Sequence, residues 1–222
     1  MIINRIQKTD DGSHTLYSDK LDESYHSSFG AIQESMHIFI DAGLNTVINK
    51  GIDKVRILEV GTGTGLNVLL AYLWCKVNNI NIEYTGYEPY PISKNEVILL
   101  NYPEQLKVDD NIFISIHENI GKLNNLSNSF LLSIIKDQIQ KAKLQTDFYN
   151  VIFFDAFSPT AQPELWTPEI FKLLFNAMKS GGVLTTYSCK GTVKRALKTA
   201  GFRIEKLPGP PGKREFLRAW KE

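Results

Sequence analysis

The feature that most constrains this chain is a glycine-rich turn, ILEVGTGTGLN at residues 57–67, between a short apolar run and an apolar helical pattern. Glycine accepts backbone conformations that other residues avoid, so Gly61, Gly63 and Gly65 allow a sharp turn and a close approach to a ligand. The helix that follows would point its free amide groups at an anion. A strand, a glycine turn and a helix in this order predict a nucleotide-like ligand site in a doubly wound α/β fold.

The spacing of the glycines discriminates between two classes of ligand. A nicotinamide site has the pattern G-x-G-x-x-G, but Leu66 stands here in place of the third glycine. Glu88 ends the next predicted strand, 23 residues after Gly65, and a carboxylate roughly 20 residues beyond such a turn binds ribose hydroxyls. With Glu59 two residues before the turn, this arrangement resembles class I S-adenosylmethionine-dependent methyltransferases. It implies that the methyl donor is bound by the three glycines, Glu59, Glu88 and Asn67.

The rest of the chain alternates strand and helix patterns. A hairpin is predicted over 2–17, and a long helix runs from Ser27 or Ser28 as N-cap to Gly51. Two more helices are predicted after Thr167 and Thr192 as N-caps and end at Gly181 and Gly201. The remaining predicted helices are 66–77 and 130–144, and the predicted strands are 55–60, 82–87, 112–116, 149–154, 183–187, 202–207 and 215–221.

This alternation predicts a doubly wound sheet in the α/β class, and the resemblance implies that it is a Rossmann-like class I methyltransferase fold. The sheet would have seven strands and be mostly parallel, with an antiparallel last strand, because the last two strands are joined by a short loop without a helix. We expect a single domain over 1–222, with an N-terminal hairpin and helix extension over 1–52 and the methyltransferase core over 53–222.

Cysteine usage and hydropathy limit the setting of the protein. Cys75 and Cys189 lack the spacing of a zinc site or of a disulfide framework, so we expect no metal and a reducing compartment. The N-terminus shows no cleavage pattern, and no window is apolar enough to span a membrane. These features predict a cytoplasmic protein with no membrane partner.

The stretch FFDAFSPTAQPELWT at 153–167 carries a second set of candidate residues. Asp155 ends a buried apolar strand, and ligands of open α/β sheets bind at such strand ends. Pro159 and Pro163 restrict the loop that follows, in which Phe157 and Trp166 offer flat surfaces to a base. One of these two aromatic side chains could instead fill the core, and the sequence leaves that choice open.

Asn119 is a candidate for the adenine of the cofactor. It follows the third predicted strand in the run HENI, where a polar side chain in this fold usually faces the adenine. The same residues also suit an ordinary polar loop, so both interpretations stay open.

Five stretches together resemble the MnmC/MnmD family of tRNA wobble-uridine methyltransferases. They extend over nearly the whole chain: YHSSFGAIQES, GTGTGLN, DAFSP…PELWT, GGVLTTYSCKGTVKRALKTAGF and LPGPPGKREFLRAW. The resemblance implies an enzyme that transfers a methyl group from S-adenosylmethionine to the amine of 5-aminomethyl-(2-thio)uridine at tRNA position 34. Many members are fused to an FAD-dependent oxidase. Because this chain ends at Glu222, it resembles the stand-alone type and is expected to need a separate enzyme that makes the aminomethyl group.

Amine methylation assigns a role to Asp155. An alkylammonium cannot attack a sulfonium, because its nitrogen lone pair carries a proton. Asp155 is therefore the expected catalytic residue and a cofactor contact, and we expect it first of all to orient the amine. An aspartate with a pKa of about 4 is a poor base for an amine, so proton uptake by way of water would need a pKa raised by burial, and the choice between the two roles stays open. The resemblance also implies that Tyr25, with His26 and more weakly Glu34, folds over the cofactor, although His26 equally suits a surface position. Methylation of a pyrimidine ring carbon would need a cysteine nucleophile, but a small buried residue is the simpler interpretation of Cys189.

A basic C-terminal region suits an RNA partner. The segment 190–222 has ten basic and three acidic residues, whereas the net charge of the chain is only +1. Scattered solvated lysines would give the same count, so the alternative stays open. If the region binds tRNA, phosphate contacts are expected from five residues: Lys190, Lys194, Arg195, Lys213 and Arg214.

Two other classes of function remain open. A methyltransferase of the same fold could act on a small-molecule or protein amine, and it would need no basic face and no RNA. A non-catalytic module that binds a nucleotide or RNA would keep the glycine turn but would not need a carboxylate at Asp155. Binding of S-adenosylmethionine discriminates between the enzyme and the module.

Overall fold

The computed structural model describes residues 4–48 and 52–222 of the chain. A small antiparallel sheet comes first and contains β1 (Arg5–Lys8), β2 (His14–Ser18) and β3 (Glu23–Ser24). In the turn between β1 and β2, the Thr9 amide donates to the Ser13 carbonyl at 2.9 Å. The predicted N-terminal hairpin is therefore confirmed from Arg5 onward, whereas residues 2 and 3 of the predicted range lie outside the described residues. β3 extends the hairpin by one strand.

One long helical segment connects the N-terminal sheet to the core. It consists of α1 (Ala31–Ser35), a π-helical stretch (Met36–Leu44) and α2 (Asn45–Ile48). Its buried face includes Ile38, Phe39 and Leu44, which accounts for the apolar period in the sequence. The predicted stop at Gly51 lies outside the described residues.

The start of this helix differs from the prediction. The helix begins at Ala31, so Ser27 and Ser28 are not its N-cap. The N-terminal hairpin supplies the missing partner instead, because the Ser13 hydroxyl accepts the Ala31 amide at 3.2 Å. A side chain 18 residues away in sequence is thus the cap, which local sequence signals could not indicate.

The core is a mixed sheet with eight strands in the described part of the chain. Its strands are β4 (Lys54–Val60), β5 (Asn81–Tyr87), β6 (Leu123–Ser127), β7 (Phe130–Ile135), β8 (Tyr149–Phe154), β9 (Met178–Thr186), β10 (Arg203–Pro208) and β11 (Glu215–Trp220). Their order is β10-β11-β9-β8-β4-β5-β7-β6. The five strands from β9 to β7 are parallel, and the strands outside them pair antiparallel. The predicted Rossmann-like fold is confirmed, with eight strands in place of seven.

Helices cover both faces of this sheet, as parallel strands require. They are α3 (Leu66–Asn78), α4 (Lys94–Val97), α5 (Tyr102–Leu106), α6 (Asp110–Glu118), α7 (Pro168–Ala177) and α8 (Gly191–Ala200), with short 3-10 turns at Ile139–Lys141 and Pro163–Leu165. The long helical segment, α3, α5 and α6 share one buried apolar cluster. The other cluster contains α7 and α8. The carboxyl ends of the parallel strands lie along one edge of the sheet, between these two helical layers.

The predicted strand over 112–116 is wrong, because these residues belong to α6. The β-branched isoleucines favour a strand, yet the Asp109 carboxylate caps a helix by accepting the Asn111 amide at 2.8 Å. Phe113 and Ile116, almost one turn apart, are the residues that α6 buries. A helical spacing of two large side chains thus prevails over β-propensity.

The predicted helix over 130–144 is also wrong. Residues Phe130–Ile135 form β7, in which buried and half-buried side chains alternate as in a strand. β6 pairs antiparallel with β7 and supplies the eighth strand. Apolar runs of this length suit a buried strand and a buried helix equally well, so periodicity alone misassigned it.

The C-terminal half agrees with the predictions more closely. The Thr167 hydroxyl accepts the Ile170 amide at 3.4 Å, so α7 begins as predicted, although it ends at Ala177 because β9 starts there. Helix α8 begins at Gly191, one residue before the predicted cap, and ends at the predicted Gly201. β10 and β11 form the predicted antiparallel pair. The division at residues 52 and 53 stays a prediction.

No helix within 4–48 and 52–222 combines the length and the apolar character needed to cross a membrane.

Candidate active site

A cavity of about 740 Å³ lies at the carboxyl ends of β4, β5 and β8. One side is formed by the glycine turn after β4 and by Glu88 after β5. The other side is formed by Asp155 after β8, Tyr187 after β9, and Glu34 and Lys213 from the long helical segment and the β10–β11 loop. We call these the glycine-turn half (residues 61–67 and Glu88) and the acceptor half (Glu34, Asp155, Tyr187 and Lys213). The volume falls within the usual range of small-molecule sites, about 300–1,000 Å³.

The glycine turn needs glycine at the positions that the sequence indicates. Gly61 has a φ of 86°, and a Cβ there would lie 2.6 Å from the Asp155 carbonyl oxygen. Gly65 has a φ of 76° and starts α3, and a Cβ there would lie 2.9 Å from His117 Nε2. Gly63 has a φ of 51° and faces the Tyr25 ring. The turn therefore brings bare backbone to the cavity and joins the two halves through the contact of Gly61 with Asp155.

Glu88 is bound to the same turn. One carboxylate oxygen accepts the Gly63 amide at 2.9 Å, and the other accepts the Tyr90 amide at 2.9 Å. Burial raises the pKa of Glu88, and these two backbone hydrogen bonds oppose that shift. The carboxylate thus lies at the mouth of β5, within the cavity and beside the turn, as the sequence predicts.

Two buried carboxylates share one amide. Asn67 Nδ2 donates to Glu59 Oε1 and to Asp155 Oδ2, both at 2.9 Å. Burial raises the pKa of Glu59 to about 8, and the Asp155 charge adds to the shift. Burial also raises the pKa of Asp155 to about 7, with a further rise from Glu34 and opposing effects of Asn67 and Lys213. At neutral pH Glu59 is mostly protonated, so the negative charge of this pair belongs to Asp155.

Aromatic side chains line the acceptor half near Asp155. Tyr25 and Phe157 meet edge to face, with ring centroids 4.8 Å apart. The Tyr187 hydroxyl donates to the Ala156 carbonyl at 2.9 Å. Phe157 is partly exposed and borders the cavity, so it remains available to stack on a flat group.

Trp166 does not belong to this wall. It is 5% exposed, packs against Phe154 and Phe171, and donates its indole N–H to the Phe157 carbonyl at 2.8 Å. Among the described residues that border the cavity, Trp166 is absent. The prediction that both aromatic residues offer a platform is therefore corrected: Trp166 fills the core and supports Phe157 from behind.

Asn119 is also placed differently from the prediction. It follows α6 rather than a strand, and its amide donates to the Ser115 carbonyl at 3.0 Å. It does not appear among the described residues that border the cavity. The misassigned strand at 112–116 is the reason for this error, since Asn119 would otherwise stand at a strand end.

His117, two residues earlier, contacts the site from behind. Its Nε2 lies 3.2 Å from the Thr64 carbonyl, and burial lowers its pKa to about 4. A neutral imidazole therefore packs against the start of α3 at Gly65. Local sequence patterns do not indicate this support, because residues 112–116 resemble a strand and only the fold shows them as part of α6.

Two pairs of residues were not foreseen from the sequence. Glu23 accepts the Ser158 amide at 3.0 Å and the Ser158 hydroxyl, which joins the N-terminal sheet to the loop after Asp155. Lys213 forms an ion pair with Glu34 across the acceptor half. Both pairs join residues more than 130 positions apart, and sequence spacing carries no signal for them.

The predicted phosphate contacts separate into two groups. Lys213 points inward to Glu34, with its Nζ 4.2 Å from the Tyr187 ring centroid, so its prediction as a surface contact is corrected. Lys194 is partly buried, and its Nζ lies 3.8 Å from Glu215. The other three are exposed: Lys190, Arg195 and Arg214.

A family model described as S-adenosyl-L-methionine-dependent methyltransferase matches residues 111–222, half of the chain. The chain belongs to this methyltransferase family.

Relatives of this methyltransferase carry a more specific name. A protein of Pseudomonas syringae pv. syringae (strain B728a), named tRNA 5-methylaminomethyl-2-thiouridine biosynthesis bifunctional protein MnmC, is 29% identical over 214 residues, 89% of this chain and 32% of that protein. The protein of that name from Legionella pneumophila (strain Corby) is 28% identical over 236 residues, 93% of this chain and 35% of that protein. The methyltransferase therefore spans about a third of the length of the curated relatives it matches.

Two crystal structures are also similar to this chain. That of MnmC2 from Aquifex aeolicus superposes with a TM-score of 0.82 and 26% identity, over 99% of this chain and 70% of that chain. Spermidine synthase from Thermotoga maritima superposes with a TM-score of 0.52 and 13% identity, over 100% of this chain and 70% of that chain. The second likeness shows the shared fold alone.

The cavity of the methyltransferase fits S-adenosylmethionine chemically. Within the described residues, Asn67 Oδ1 is buried without a hydrogen-bond partner, beside the glycine turn. Buried acceptors are normally paired, so a donor such as the ammonium of the cofactor's methionine would satisfy it. The glycine turn supplies bare backbone, and Glu88 supplies a carboxylate suited to ribose hydroxyls.

Cys189 is a poor candidate for a nucleophile in this methyltransferase. Its thiol donates to the Glu215 carbonyl at 2.9 Å, and burial raises its pKa. A reactive cysteine needs a lowered pKa and access to the ligand, whereas Cys189 is not among the described residues at the cavity.

Proposed function

We propose that this methyltransferase N-methylates the amine of 5-aminomethyl-(2-thio)uridine at tRNA position 34, giving 5-methylaminomethyl-(2-thio)uridine. The names of the relatives support this substrate, and the observation that carries the proposal is the placement of Asp155. Its carboxylate lies in the cavity beside the glycine turn, with a pKa raised to about 7. A group with that pKa accepts a proton at neutral pH far better than an aspartate at about 3.9.

The chain's own residues account for the acceptor chemistry. When bound, S-adenosylmethionine would supply a methyl group on a sulfonium, whose C–S bond would break with the electron pair left on sulfur. Asp155 takes one proton from the substrate ammonium, and the freed lone pair of the nitrogen forms the new bond to the methyl carbon. Asn67 donates to Asp155 Oδ2, so Oδ1 is the oxygen that we assign to the amine. Orientation and proton transfer thus act through the same carboxylate.

The glycine-turn half would hold the methyl donor. We propose that Glu88 binds the ribose hydroxyls and that the backbone of the glycine turn, with Asn67, binds the methionine part. Glu59, predicted as a cofactor contact, is not among the described residues that border the cavity. It acts indirectly by holding Asn67, since its carboxyl oxygen accepts from the same amide that holds Asp155. Tyr25 closes this half, because its ring lies against Gly63.

The exposed cations would hold the RNA. Lys190 donates to the Thr160 hydroxyl at 2.6 Å, in the loop that follows Asp155, so the basic face reaches the acceptor half. Arg195 and Arg214 are exposed on the same C-terminal region. Phosphate contacts from such residues position an RNA without reading its sequence. Phe157 is then the side chain that would stack on the uracil ring.

A methyl-transfer assay tests the proposal. Purified protein and S-adenosylmethionine are incubated with tRNA that carries 5-aminomethyluridine, and the nucleosides are identified by mass spectrometry. We expect the aminomethyl nucleoside to be consumed and its methylaminomethyl form to appear, while tRNA without the aminomethyl group stays unmodified. Methyl transfer to free amines with no transfer to this tRNA would instead support a small-molecule or protein acceptor. An enzyme activity that makes the aminomethyl group is part of the proposal, as is action in the cytoplasm.

A further inference from the structure

An ion pair lies inside the acceptor half, where a surface contact for RNA was expected. Lys213 Nζ pairs with Glu34 Oε1, and it also lies 4.2 Å from the centroid of the Tyr187 ring. The Glu34 side chain is 9% exposed and that of Lys213 is 28% exposed. Exposed ion pairs contribute little to stability, because water screens their charges. The pair of Lys213 and Glu34 is largely buried, so its charges act more strongly on neighbouring groups.

Backbone contacts hold both partners in place. The second oxygen of Glu34, Oε2, accepts the Ser27 amide at 2.8 Å. Lys213 stands in the loop between β10 and β11, and this loop packs on the N-terminal part of the long helical segment. A Cβ at Gly212 would lie only 2.0 Å from the Phe29 ring, and His37 Nε2 contacts the Pro208 carbonyl at 2.8 Å. The pair is therefore a fixed part of the wall.

Several charged or titratable groups act on Asp155 from the elements around it. Glu34 raises its pKa and Lys213 lowers it, so the two members of the pair have opposite effects. Tyr187 stays neutral, because burial raises its pKa well above the usual range. The remaining groups that interact with Asp155 are Glu59 on β4, Tyr84 on β5 and Tyr102 on α5.

We propose that Glu34 and Lys213 are positioning residues for methyl transfer, which set the charge of Asp155 and the place of the amine beside it. This rests on the proposed amine methylation. Lys213 repels a second cation and so favours an uncharged amine at the reacting position. Because Lys213 also lowers the pKa of Asp155, it keeps this carboxylate ionised and therefore able to accept the released proton. The negative charge of Glu34 offsets the positive charge of Lys213, so the acceptor half can still bind a substrate that carries an amine. Lys213 is accordingly a residue of the reaction site and not a phosphate contact.

The test is the pH dependence of the single-turnover rate with saturating protein. We expect Lys213→Met to raise the midpoint of the acid limb and Glu34→Gln to lower it, each by at least about half a pH unit. Glu34→Gln keeps the shape of the side chain and an oxygen for the Ser27 amide, and Lys213→Arg, which retains the charge, should restore the wild-type midpoint. A purely structural role would change the rate of both variants without moving their midpoints in opposite directions.

Arg214→Met is the matched control, because Arg214 is the exposed neighbour of Lys213 in the same loop. It should weaken tRNA binding and leave the midpoint in place, whereas Lys213→Met should move the midpoint and leave the salt dependence of binding unchanged. Midpoints that stay put, or that move in the same direction, overturn the proposal. So does a Lys213→Met protein that loses tRNA affinity as Arg214→Met does.

Each variant is first checked by thermal unfolding and by binding of S-adenosylmethionine. If Lys213→Met does not fold, Lys213→Gln replaces it. The direction in which Glu34→Gln moves the midpoint of the acid limb still tests the proposal. If the wild-type protein does not methylate the aminomethyl tRNA, the proposed function is wrong. If the wild-type protein is active but the midpoints of the Glu34 and Lys213 variants do not move, only the proposed role of the ion pair is wrong.

Discussion

The two halves of the cavity differ in what lines them: mainly backbone in the glycine-turn half and side chains in the acceptor half. The glycine-turn half uses one short turn, the start of α3 and a carboxylate at the end of the neighbouring strand, and much of its surface is backbone. The acceptor half uses side chains from four places: the long helical segment, the ends of β8 and β9, and the β10–β11 loop. Three of its four residues, Glu34, Asp155 and Lys213, carry charge near each other on side chains that are buried or half-buried.

This difference suggests a division of work. Backbone amides and a single carboxylate suffice to bind a ligand, and their geometry is fixed by the local turn. Control of a proton needs several charges at set positions, and those come only from distant parts of the chain. Substitutions in the glycine-turn half should therefore change affinity for S-adenosylmethionine, whereas substitutions in the acceptor half should change the rate.

The largest effect is expected for Asp155→Asn. Loss of the proton acceptor should lower the single-turnover rate by about 10²–10⁴-fold, since general bases contribute that much. Calorimetry should show nearly unchanged affinity for S-adenosylmethionine, because Asn67 can still donate to the side-chain oxygen. A variant with the wild-type rate would remove Asp155 from the reaction and end the distinction between the halves.

Glu88→Ala should act mainly on binding. The loss of charge-assisted hydrogen bonds of about 1.5–3 kcal/mol corresponds to roughly a 10- to 150-fold weaker affinity for S-adenosylmethionine. The rate at saturating cofactor should change little. Glu104→Ala, an exposed glutamate on α5, is the control and should retain wild-type affinity. A large loss of rate at saturation would mean that Glu88 does more than bind.

Charge reversal of the exposed cations should affect only RNA binding. Lys190→Glu and Arg195→Glu should each reduce the slope of log affinity against log salt by about one, with similar losses for different tRNA sequences. Lys122→Glu, an exposed lysine outside the basic region, should leave the slope unchanged. If all three variants behave alike, the RNA binds elsewhere.

The smallest effect is expected for Trp166→Phe. The variant loses the indole hydrogen bond to the Phe157 carbonyl, so unfolding in urea should show a loss of about 0.5–1.5 kcal/mol of stability. Affinity for tRNA should stay unchanged, because Trp166 is buried. Weaker RNA binding with unaltered stability would restore Trp166 as a stacking surface.

The same contrast explains what the sequence could predict. The glycine-turn half is contiguous apart from Glu88, and the residue types at Gly61, Gly65 and Glu88 are fixed by turn geometry and ligand chemistry. The fold class followed from the alternation of elements, although the apolar runs at 112–116 and 130–144 each suited the wrong element.

The acceptor half was predictable only in part. Asp155 can be predicted because it ends a strand. Its raised pKa cannot be predicted, because it depends on burial and no local sequence pattern indicates that burial. Lys213 seemed to be one of several basic surface residues, and only the packing of its loop turns it toward Glu34. Contacts between residues so far apart in sequence arise from the closed fold, which a list of motifs does not contain.

The most direct test of the central claim is the pH dependence of single-turnover methyl transfer by the wild-type protein on tRNA that carries 5-aminomethyluridine. If Asp155 accepts the proton, the rate should rise with pH to a midpoint near its pKa of about 7 and then stay level. If the amine instead loses its proton to solvent, the rate should keep rising by about tenfold per pH unit toward the amine pKa of about 10. A plateau above neutral pH, lost in Asp155→Asn, is the result that the structure predicts. A continuous rise through that range would contradict it.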